Sequence, residues 1–212
     1  TDQDGLTQYF YLRRNIVKAK IPDLAQGSKD FYAVDIHATA FATDDTKQQH
    51  IDKYVETLAE IQSSGDYFVT GGDLNSVPPG SEFDYCLLDM CPDEKYEDEN
   101  GNEIDYHSID SLTSGPHKEG AYFNNFDGER DILLPLYEAY DAAIDSDDAN
   151  LPIHLTHGPS TSYEMNDIKY DRKLDYLFTN GIWENTLSKT HQAAWELSDH
   201  LPVSAIFNLG GE

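Results

Sequence analysis

The sequence predicts a mixed α/β (α+β) fold, and three features carry this prediction. Runs of aromatic and β-branched residues indicate buried strands at Phe31–His37, Tyr67–Thr70 and Leu174–Thr179. Between the first two runs, Thr46–Ser63 places apolar residues at the spacing of one helical face. Strand, helix and strand in succession form a crossover unit, which favours parallel or mixed pairing within one sheet.

The first of these strands is expected to have a neighbour on its N-terminal side. Tyr9–Ile21 is rich in β formers and is closed by Pro22. Gln26–Ser28 is a turn signal, so we expect a hairpin with a long loop between Tyr9–Ile21 and Phe31–His37. The helix that follows should bury one face, which consists of Ile51, Tyr54, Val55, Leu58 and Ile61.

The second half of the chain is less regular. We expect a short helix at Ser81–Cys91, a helix at Asp131–Ile144 interrupted early by Pro135, an acidic linker at Ser146–Asn150 and a final strand at Pro202–Leu209. Pro92–Asp131 is acidic and rich in Gly and Asn, and a loop of that length is usually functional or mobile. We therefore interpret residues 1–212 as a single domain with an irregular insertion at about 92–131.

The chain is strongly acidic. It has 212 residues, of which 40 are Asp or Glu and 14 are Lys or Arg, so its formal net charge is −26. The acids are spread along the whole length and aromatic residues make up 12%, which indicates a folded protein. This charge argues against a broad basic patch for nucleic acid backbones. Adaptation to high salt is one hypothesis for the acidity, because screening relieves self-repulsion.

No run of roughly 18 apolar residues is present, so no transmembrane segment is predicted. Thr1–Gly5 has neither the basic nor the apolar part of a signal peptide, but the missing initiator Met leaves an exported precursor open. We favour a secreted or periplasmic location over the cytoplasm. Cys86 and Cys91 are the only cysteines and form either two buried thiols or one local disulfide.

Polar residues follow the central strand. Tyr67–Thr70 runs into Gly71 and Gly72, and then into Asp73 and Asn75. A strand that delivers a carboxylate and a carboxamide to its own end has the layout of an α/β active site. Asp and Asn after Gly are also common in turns, so this stretch alone supports both interpretations.

Three further candidates lie at or beside other strand ends. His37 ends the strand Phe31–His37, where a hydrogen-bonded structural role is the more frequent one for histidine. Asp175 lies between apolar neighbours, where a carboxylate is costly unless it is paired. Asp199 and His200 lie in the loop before the final strand. We predict that Asp175 pairs with His200 and orients its imidazole.

Together, these motifs resemble those of the endonuclease/exonuclease/phosphatase superfamily. Four segments show the resemblance: the strand that ends in His37, GDLN ending at Asn75, KLDYLF from Lys173 and SDHLPV from Ser198. The resemblance covers Asp35–Val203 and implies the DNase I-like fold, a four-layer α/β/β/α sandwich. It also implies metal-dependent hydrolysis of a phosphate ester by a phosphodiesterase, nuclease or phosphatase.

The resemblance implies roles for the residues around the water and the metal. Asp73 matches the acid that orients or deprotonates the attacking water, and Asn75 matches the amide that holds the phosphate. Asp199 matches a carboxylate at the divalent metal, and we expect Asp73 to contribute there as well. The expected metal is Mg²⁺, with Mn²⁺ or Ca²⁺ as alternatives, and such ions prefer oxygen ligands.

The resemblance also implies two histidine contacts with the phosphate. His200, with Asp175 as its partner, matches the histidine that contacts the scissile phosphate. His37 matches a second histidine, which protonates the leaving oxygen. Lys173 occupies a position where the family often has a basic residue, and we expect it to be a solvated lysine.

Two departures from the family pattern bear on activity. Asp35 stands where the family usually has Asn, and an anion there repels phosphate unless it binds metal or faces away. No Glu precedes Glu56, although the family carries a metal-ligand Glu after its first strand. The N-terminal strands of the fold are therefore expected to be missing from this chain. A separate chain carrying that segment, or self-association, would then cover the sheet edges and apolar faces left open.

Two functions follow from these observations. The first is hydrolysis of a phosphate ester, whose substrate is a nucleic acid, a phospholipid or a small phosphoester. The acidic charge favours a smaller or lipid-like substrate over a DNA backbone. The alternative is a non-catalytic or incomplete family member that acts as a binding or structural module, because the N-terminal Glu is absent. The joint presence of Asp73, Asn75, Asp175, Asp199 and His200 favours the enzyme.

Overall fold

The structure is a computed structural model, and it describes residues 14–24, 27–40, 45–81, 95–97, 100–101, 103–105, 131–157, 170 and 172–208. Three sequence-based expectations lie largely outside these residues: the helix at Ser81–Cys91, the state of both cysteines, and the insertion Pro92–Asp131.

The described residues form short strands and few helices. The strands are β1 (Ile16–Lys20), β2 (Phe31–Ile36), β3 (Tyr67–Asp73), β4 (Lys95–Glu97), β5 (Glu103–Asp105), β6 (Asp141–Ala142), β7 (Asp175–Thr179), β8 (Ile182–Trp183), β9 (Lys189–Thr190), β10 (Val203–Ser204) and β11 (Phe207–Asn208). The α-helices are α1 (Thr46–Ser63), α2 (Leu134–Ala139) and α3 (Ser146–Ala149). None of these helices is both long enough and apolar enough to cross a membrane.

One mixed sheet organises the molecule, with the strand order β1-β2-β3-β7-β6. β1 pairs antiparallel with β2, and β2 pairs parallel with β3 across the α1 crossover. The predicted hairpin and crossover unit are therefore both confirmed. On the other side of β3, β7 runs antiparallel and places Asp175 directly opposite Asp73. This register brings two candidate carboxylates to the same end of adjacent strands.

Helix α1 covers one face of the sheet and has the predicted bounds. Of its expected apolar face, Val55 is half-buried and the other four side chains are fully buried. They pack in one cluster with β2, β3 and β7, through Val34, Ile36, Phe68, Tyr176 and Phe178. Inside it, the hydroxyl of Tyr54 bonds Thr70 Oγ1, which in turn donates to the Val34 carbonyl at 2.9 Å. The cluster fixes β3 in the middle of the sheet.

The prediction of one long helix over Asp131–Ile144 is wrong. Helix α2 spans only Leu134–Ala139, with Pro135 in its first turn, where a missing N–H costs no helical hydrogen bond. Directly after it, Asp141–Ala142 forms β6 and pairs with β7. A non-local pairing thus overrides the helical pattern. Likewise, the expected acidic linker contains α3.

The prediction of one final strand over Pro202–Leu209 is also wrong. This segment contains two short strands with different partners: β10 pairs with β9, and β11 pairs with β8. From β11, Phe207 packs on Phe31, with ring centroids 5.3 Å apart. Tyr32, Val34 and Ile36 face the cluster under α1, and Phe31 lies on the other face because side chains alternate along a strand. Phe207 therefore covers the sheet face opposite α1.

β1 is the outer strand of the sheet among the described residues, and its only strand partner there is β2. Four of its five residues are exposed, and Val17 has a relative accessibility of 56%. The edge and face near β1 are therefore open in the described part of the chain. A separate chain or a second copy covering them stays a prediction.

Candidate active site

Asp73 ends β3 and is held by the strands on both sides. Its carbonyl accepts a hydrogen bond from the backbone N–H of Ala38 at 2.9 Å. The next residue, Leu74, donates its N–H to the carbonyl of Leu174 at 2.9 Å. The backbone that carries the carboxylate is thus bonded toward both β2 and β7, which fixes its position.

Two glycines allow this close approach. A Cβ at Gly71 would lie 2.2 Å from the Tyr176 carbonyl oxygen on β7. A Cβ at Gly72 would lie 2.0 Å from the Ile36 carbonyl oxygen on β2, and Gly72 has φ +133°, which L side chains rarely adopt. The GG pair is therefore required by backbone contact on both sides of β3.

Asn75 holds the carboxylate of Asp73 in place. Its backbone N–H donates to Asp73 Oδ1 at 2.9 Å, and its Nδ2 donates to Asp73 Oδ2 at 2.9 Å and to the Ala38 carbonyl at 3.1 Å. This is an Asx-type turn with Asn75 at φ +48°, so the turn and the presentation of a carboxylate coexist here. Both amide hydrogens are engaged within the chain. A contact with phosphate would require Asn75 to exchange one of these bonds.

Two histidines from distant parts of the chain meet the same oxygen. His37 Nε2 lies 3.3 Å from Asp73 Oδ2, and His200 Nε2 lies 3.7 Å from it. The other nitrogen of His200, Nδ1, lies 2.9 Å from Asp175 Oδ2. Because a carboxylate only accepts, Nδ1 carries the hydrogen, and the Asp175 contact leaves Nε2 facing Asp73. The expected contact between Asp175 and His200 is thus present.

Two pKa values in this group, those of Asp73 and His200, are raised. Burial is the largest cause of the raised pKa of Asp73, and the carboxylate of Asp175 adds to it, while His200 acts in the opposite direction. The hydrogen bond to Asp175 is the largest cause of the raised pKa of His200, and its own burial opposes it. The site therefore combines a carboxylate with increased proton affinity and an imidazole that favours its protonated form.

Comparison with known proteins gives structural matches. No protein-family model matches the chain, and no curated protein matches it. The catalytic domain of APE2 from Xenopus laevis superposes with a TM-score of 0.50 at 14% identity, covering 92% of this chain and 55% of that chain. This chain has the DNase I-like fold.

Two other similar structures have lower scores. An endonuclease/exonuclease/phosphatase protein from Beutenbergia cavernae has a TM-score of 0.47 at 15% identity, covering 97% of this chain and 42% of that chain. An AP endonuclease from Archaeoglobus fulgidus has a TM-score of 0.45 at 14% identity, covering 84% of this chain and 62% of that chain. In each comparison, this chain spans less than two thirds of the matched structure.

Within this DNase I-like fold, Thr156 is a positioning residue that sequence reasoning missed. It is fully buried, and its Oγ1 accepts from the backbone N–H groups of Leu174 at 2.9 Å and Asp175 at 3.1 Å. Its carbonyl accepts from the N–H of Leu201 at 2.8 Å. Thr156 thus joins the start of β7 to the loop that carries His200. Its contacts are with residues far along the chain, so no local pattern reveals it.

His157 is the second residue that sequence reasoning missed. It forms β-bridges with Arg172 and with His200, and its ring lies edge-on to the His200 ring at a centroid distance of 4.8 Å. The ligand atoms of His157, Asp199 and His200 lie within 4.8 Å of one another. Those of Asp73, Asp175 and His200 form a second such group. The two predicted metal ligands, Asp73 and Asp199, therefore fall in different groups that share His200.

The expectation that Lys173 is solvated is wrong. Its relative accessibility is 1%, and its Nζ lies 5.1 Å from the ring centroid of Tyr176 with no hydrogen-bond partner among the described residues. Burial lowers the pKa of Lys173 to about 7, and the charge of Asp175 opposes this effect. The residue that departs from the family pattern, Asp35, is exposed, with Oδ1 beside Gly72.

Proposed function

We propose that this chain hydrolyses a phosphate ester with the help of a divalent metal ion. The observation that carries the proposal is the convergence of His37 and His200 on one carboxylate oxygen of Asp73, with Asp175 behind His200. Hydrolysis of a phosphate ester needs a base for water, positive charge beside the phosphate and an acid for the leaving group. These residue types supply all three at one end of the sheet.

Asp73 is the proposed base. Its carboxylate is held by two hydrogen bonds from Asn75, so it faces an attacking water in one orientation. Because burial and Asp175 raise the pKa of Asp73, the carboxylate accepts a proton more readily than an exposed aspartate does. In this proposal, Asn75 acts mainly by fixing Asp73.

The two histidines are the proposed phosphate contacts. Asp175 favours the imidazolium form of His200, which places a positive donor beside the non-bridging oxygens of a bound phosphate. His37 has a side-chain accessibility of 58% and its Nε2 lies 3.3 Å from Asp73 Oδ2, so its exposed ring can reach a leaving oxygen. The order of the proton transfers is then water to Asp73 and His37 to the leaving group.

The carboxylate oxygens of Asp73 and Asp175 are donor atoms of the kind that Mg²⁺ prefers. The carboxylates of Asp73 and Asp175 have oxygens within 4.8 Å of each other, and their proximity raises the pKa of Asp73. Oxygen ligands of this kind suit Mg²⁺, which keeps several of its waters. Asp73 would hold the ion, with Asp199 as the second carboxylate implied by the family resemblance. When bound, the metal neutralises phosphate charge and helps to orient water.

The substrate class is a phosphodiester or phosphomonoester. The similar structures include an AP endonuclease and an APE2 catalytic domain, which supports nucleic acid as one candidate substrate. The net charge of −26 favours a smaller or lipid-like phosphoester instead. Activity against both kinds of substrate decides between these alternatives.

The test is hydrolysis of bis-p-nitrophenyl phosphate, p-nitrophenyl phosphate and single-stranded DNA by the full-length protein. Turnover is measured with Mg²⁺, Mn²⁺, Ca²⁺ or EDTA. We expect EDTA to abolish turnover and Asp73→Asn or His200→Ala to reduce kcat by about 10²–10⁴-fold. The matched controls are Asp147→Asn, at an exposed residue of α3, and His191→Ala, whose ring contacts Ser204, and both should retain wild-type rates.

Three results would overturn the proposal. Turnover that persists in EDTA, or that survives Asp73→Asn and His200→Ala, assigns the chemistry to another site or to a contaminant. A folded protein with no turnover of any of these substrates under any metal would instead support the non-catalytic binding module.

A further inference from the structure

A second group of donor atoms lies beside the proposed site and has a different chemical composition. His157, Asp199 and His200 bring two imidazoles and one carboxylate within 4.8 Å of one another. His157 is buried, His200 is half-buried and Asp199 is exposed. The group is therefore anchored in the protein on one side and open to solvent on the other.

Backbone contacts hold these three residues together. A β-bridge joins His157 to His200, and next to it the N–H of Leu201 donates to the Thr156 carbonyl at 2.8 Å. In the turn before His200, Ser198 Oγ accepts from the His200 N–H at 3.1 Å and donates to Asp199 Oδ1 at 3.2 Å. The donors are thus placed by the fold and do not depend on a bound ion to gather them.

The tautomer of His200 also suits a metal ligand. Its Nδ1–H is engaged by Asp175 at 2.9 Å, so in the neutral imidazole the lone pair lies on Nε2. A carboxylate behind a histidine in this way orients the ring and raises its basicity, an arrangement typical of metal-bound histidine. Asp175 supplies this support from β7.

The donor types select the class of metal. Mg²⁺ and Ca²⁺ take oxygen ligands, whereas imidazole suits Zn²⁺ and other divalent transition ions. Two His and one carboxylate match three-ligand zinc sites, in which a water or substrate takes the open fourth position. At Zn–N distances of about 2.0–2.1 Å, tetrahedral ligands lie roughly 3.3 Å apart, so the present spacing closes with side-chain adjustments of about 1 Å.

We propose that His157, Asp199 and His200 form a binding site for Zn²⁺ or a similar divalent transition ion, which shares Asp199 with the proposed Mg²⁺ position. Because His200 belongs to both groups, an ion held there occupies the Nε2 atom that faces Asp73. Zinc therefore competes with the proposed phosphate contact of His200 and inhibits hydrolysis, a consequence that rests on the proposed function.

The binding test uses the full-length protein after EDTA treatment and dialysis. Zn²⁺ binding is measured by competition with a chromophoric chelator, and Co²⁺ is used as a spectroscopic probe of the same site. We expect one Zn²⁺ per chain at this cluster, and visible Co²⁺ bands of tetrahedral or five-coordinate intensity. His157→Asn and Asp199→Asn should each weaken Zn²⁺ binding by at least about 10-fold, and Asp175→Asn by about 10- to 100-fold.

The matched control is His191→Asn, since His191 is a half-buried histidine bonded to Ser204 outside the cluster. It should bind Zn²⁺ like the wild type. Asp199 is exposed, so Asp199→Asn decides the matter even where His157→Asn fails to fold, as judged by circular dichroism. Zn²⁺ affinity that is unchanged in Asp199→Asn and in folded His157→Asn, or no wild-type binding at about 100 µM Zn²⁺, would overturn the proposal.

Measuring Zn²⁺ binding and phosphoester turnover on the same protein distinguishes the zinc site from the proposed hydrolase function. Cluster-dependent Zn²⁺ binding without any phosphoester turnover supports the metal site and counts against the hydrolase. Turnover with Mg²⁺ in a protein that binds no Zn²⁺ at the cluster does the opposite. Where both are present, Zn²⁺ added at constant Mg²⁺ should lower the rate over the same concentration range in which it binds.

Discussion

Asp175 Oδ2 lies 2.9 Å from Nδ1 of His200, although the two residues come from a strand and from a loop 25 positions later. The contact settles three properties of His200 at once: the position of its ring, the nitrogen that carries the hydrogen and the direction of its pKa shift. Both the phosphate contact and the zinc site proposed above depend on it.

We predict that Asp175→Asn lowers the pKa of His200, because it removes the hydrogen bond that is the largest cause of the upward shift. The raised folded pKa stabilises the protein fully below the unfolded value of 6.5, and this stabilisation is lost as pH rises through the folded pKa. The variant should therefore lose more stability near pH 6 than at higher pH. NMR titration of the histidine Cε1–H resonances in EDTA measures the shift, and the titration of His50 should not follow it. An unchanged His200 titration would contradict the prediction.

Replacing Thr156 tests the junction between β7 and the His200 loop. Thr156→Val keeps the shape of the side chain but removes the acceptor for the N–H groups of Leu174 and Asp175. Leaving buried donors unsatisfied costs about 1–3 kcal/mol, so we expect a loss of that size in urea unfolding. Thr156→Ser retains the hydroxyl and is the matched control. Equal stabilities for the Val and Ser variants would show that the hydrogen bonds are unimportant.

Lys173 should give the protein an unusual dependence of stability on pH. The pKa of Lys173 is about 7 in the folded chain against 10.5 for an ordinary lysine, so the unfolded state binds more protons between these values. Stability should therefore rise across this window by about 1.4 kcal/mol per pH unit from this group alone, since the unfavourable buried charge is present below pH 7 and is released above it.

Lys173→Met removes that contribution. The free energies of unfolding of the variant and the wild type are compared by urea unfolding in EDTA at about pH 6, 7.5 and 9. We expect the variant to be more stable than the wild type at the lowest pH and to lose this advantage at the highest. The control is the exposed Lys189→Met, which should parallel the wild type to within about 0.5 kcal/mol. Parallel curves for Lys173→Met and the wild type would rule the effect out.

Gly71→Ala tests the close approach of β3 and β7. The added methyl would lie 2.2 Å from the Tyr176 carbonyl oxygen and 2.6 Å from Leu177 Cδ2, so the strands must separate. We expect a loss of more than about 2 kcal/mol in thermal or urea unfolding. Gly65→Ala is the control: it has φ +79° but nothing within 4 Å, and should cost about 1 kcal/mol. Equal losses would show that the strand contact tolerates a methyl group.

The parts of the fold that the sequence predicts well are those with a local signal. Thr46–Ser63 repeats apolar residues at helical spacing, and its predicted bounds coincide with α1. β2 and β3 are short apolar runs on either side of it, so their parallel pairing follows from the crossover. The prediction that Asp175 pairs with His200 rested on the cost of burying a carboxylate among apolar neighbours. Those neighbours, Leu174 and Tyr176, are adjacent to Asp175 in the sequence.

The parts that were not predicted depend on contacts between distant segments. Helix α2 ends early because Asp141–Ala142 pairs with β7, which no helical pattern can show. Lys173 is buried because Tyr176 and its surroundings cover it, although it ends the charged run Asp171–Lys173. Thr156 and His157 acquire their roles only where their segment meets β7 and the His200 loop.

The position of β3 between β2 and β7 has a consequence for the order of events during folding. The groups around Asp73 come from residues 37, 175 and 200, so no contiguous piece of the chain contains them. In the folded chain, the contact of His200 with Asp73 depends on the pairing of β7 with β3 and on the hydrogen bond of Leu201 to Thr156. Because contacts between distant segments are slow to form, we expect this contact to be among the last to appear in a refolding experiment.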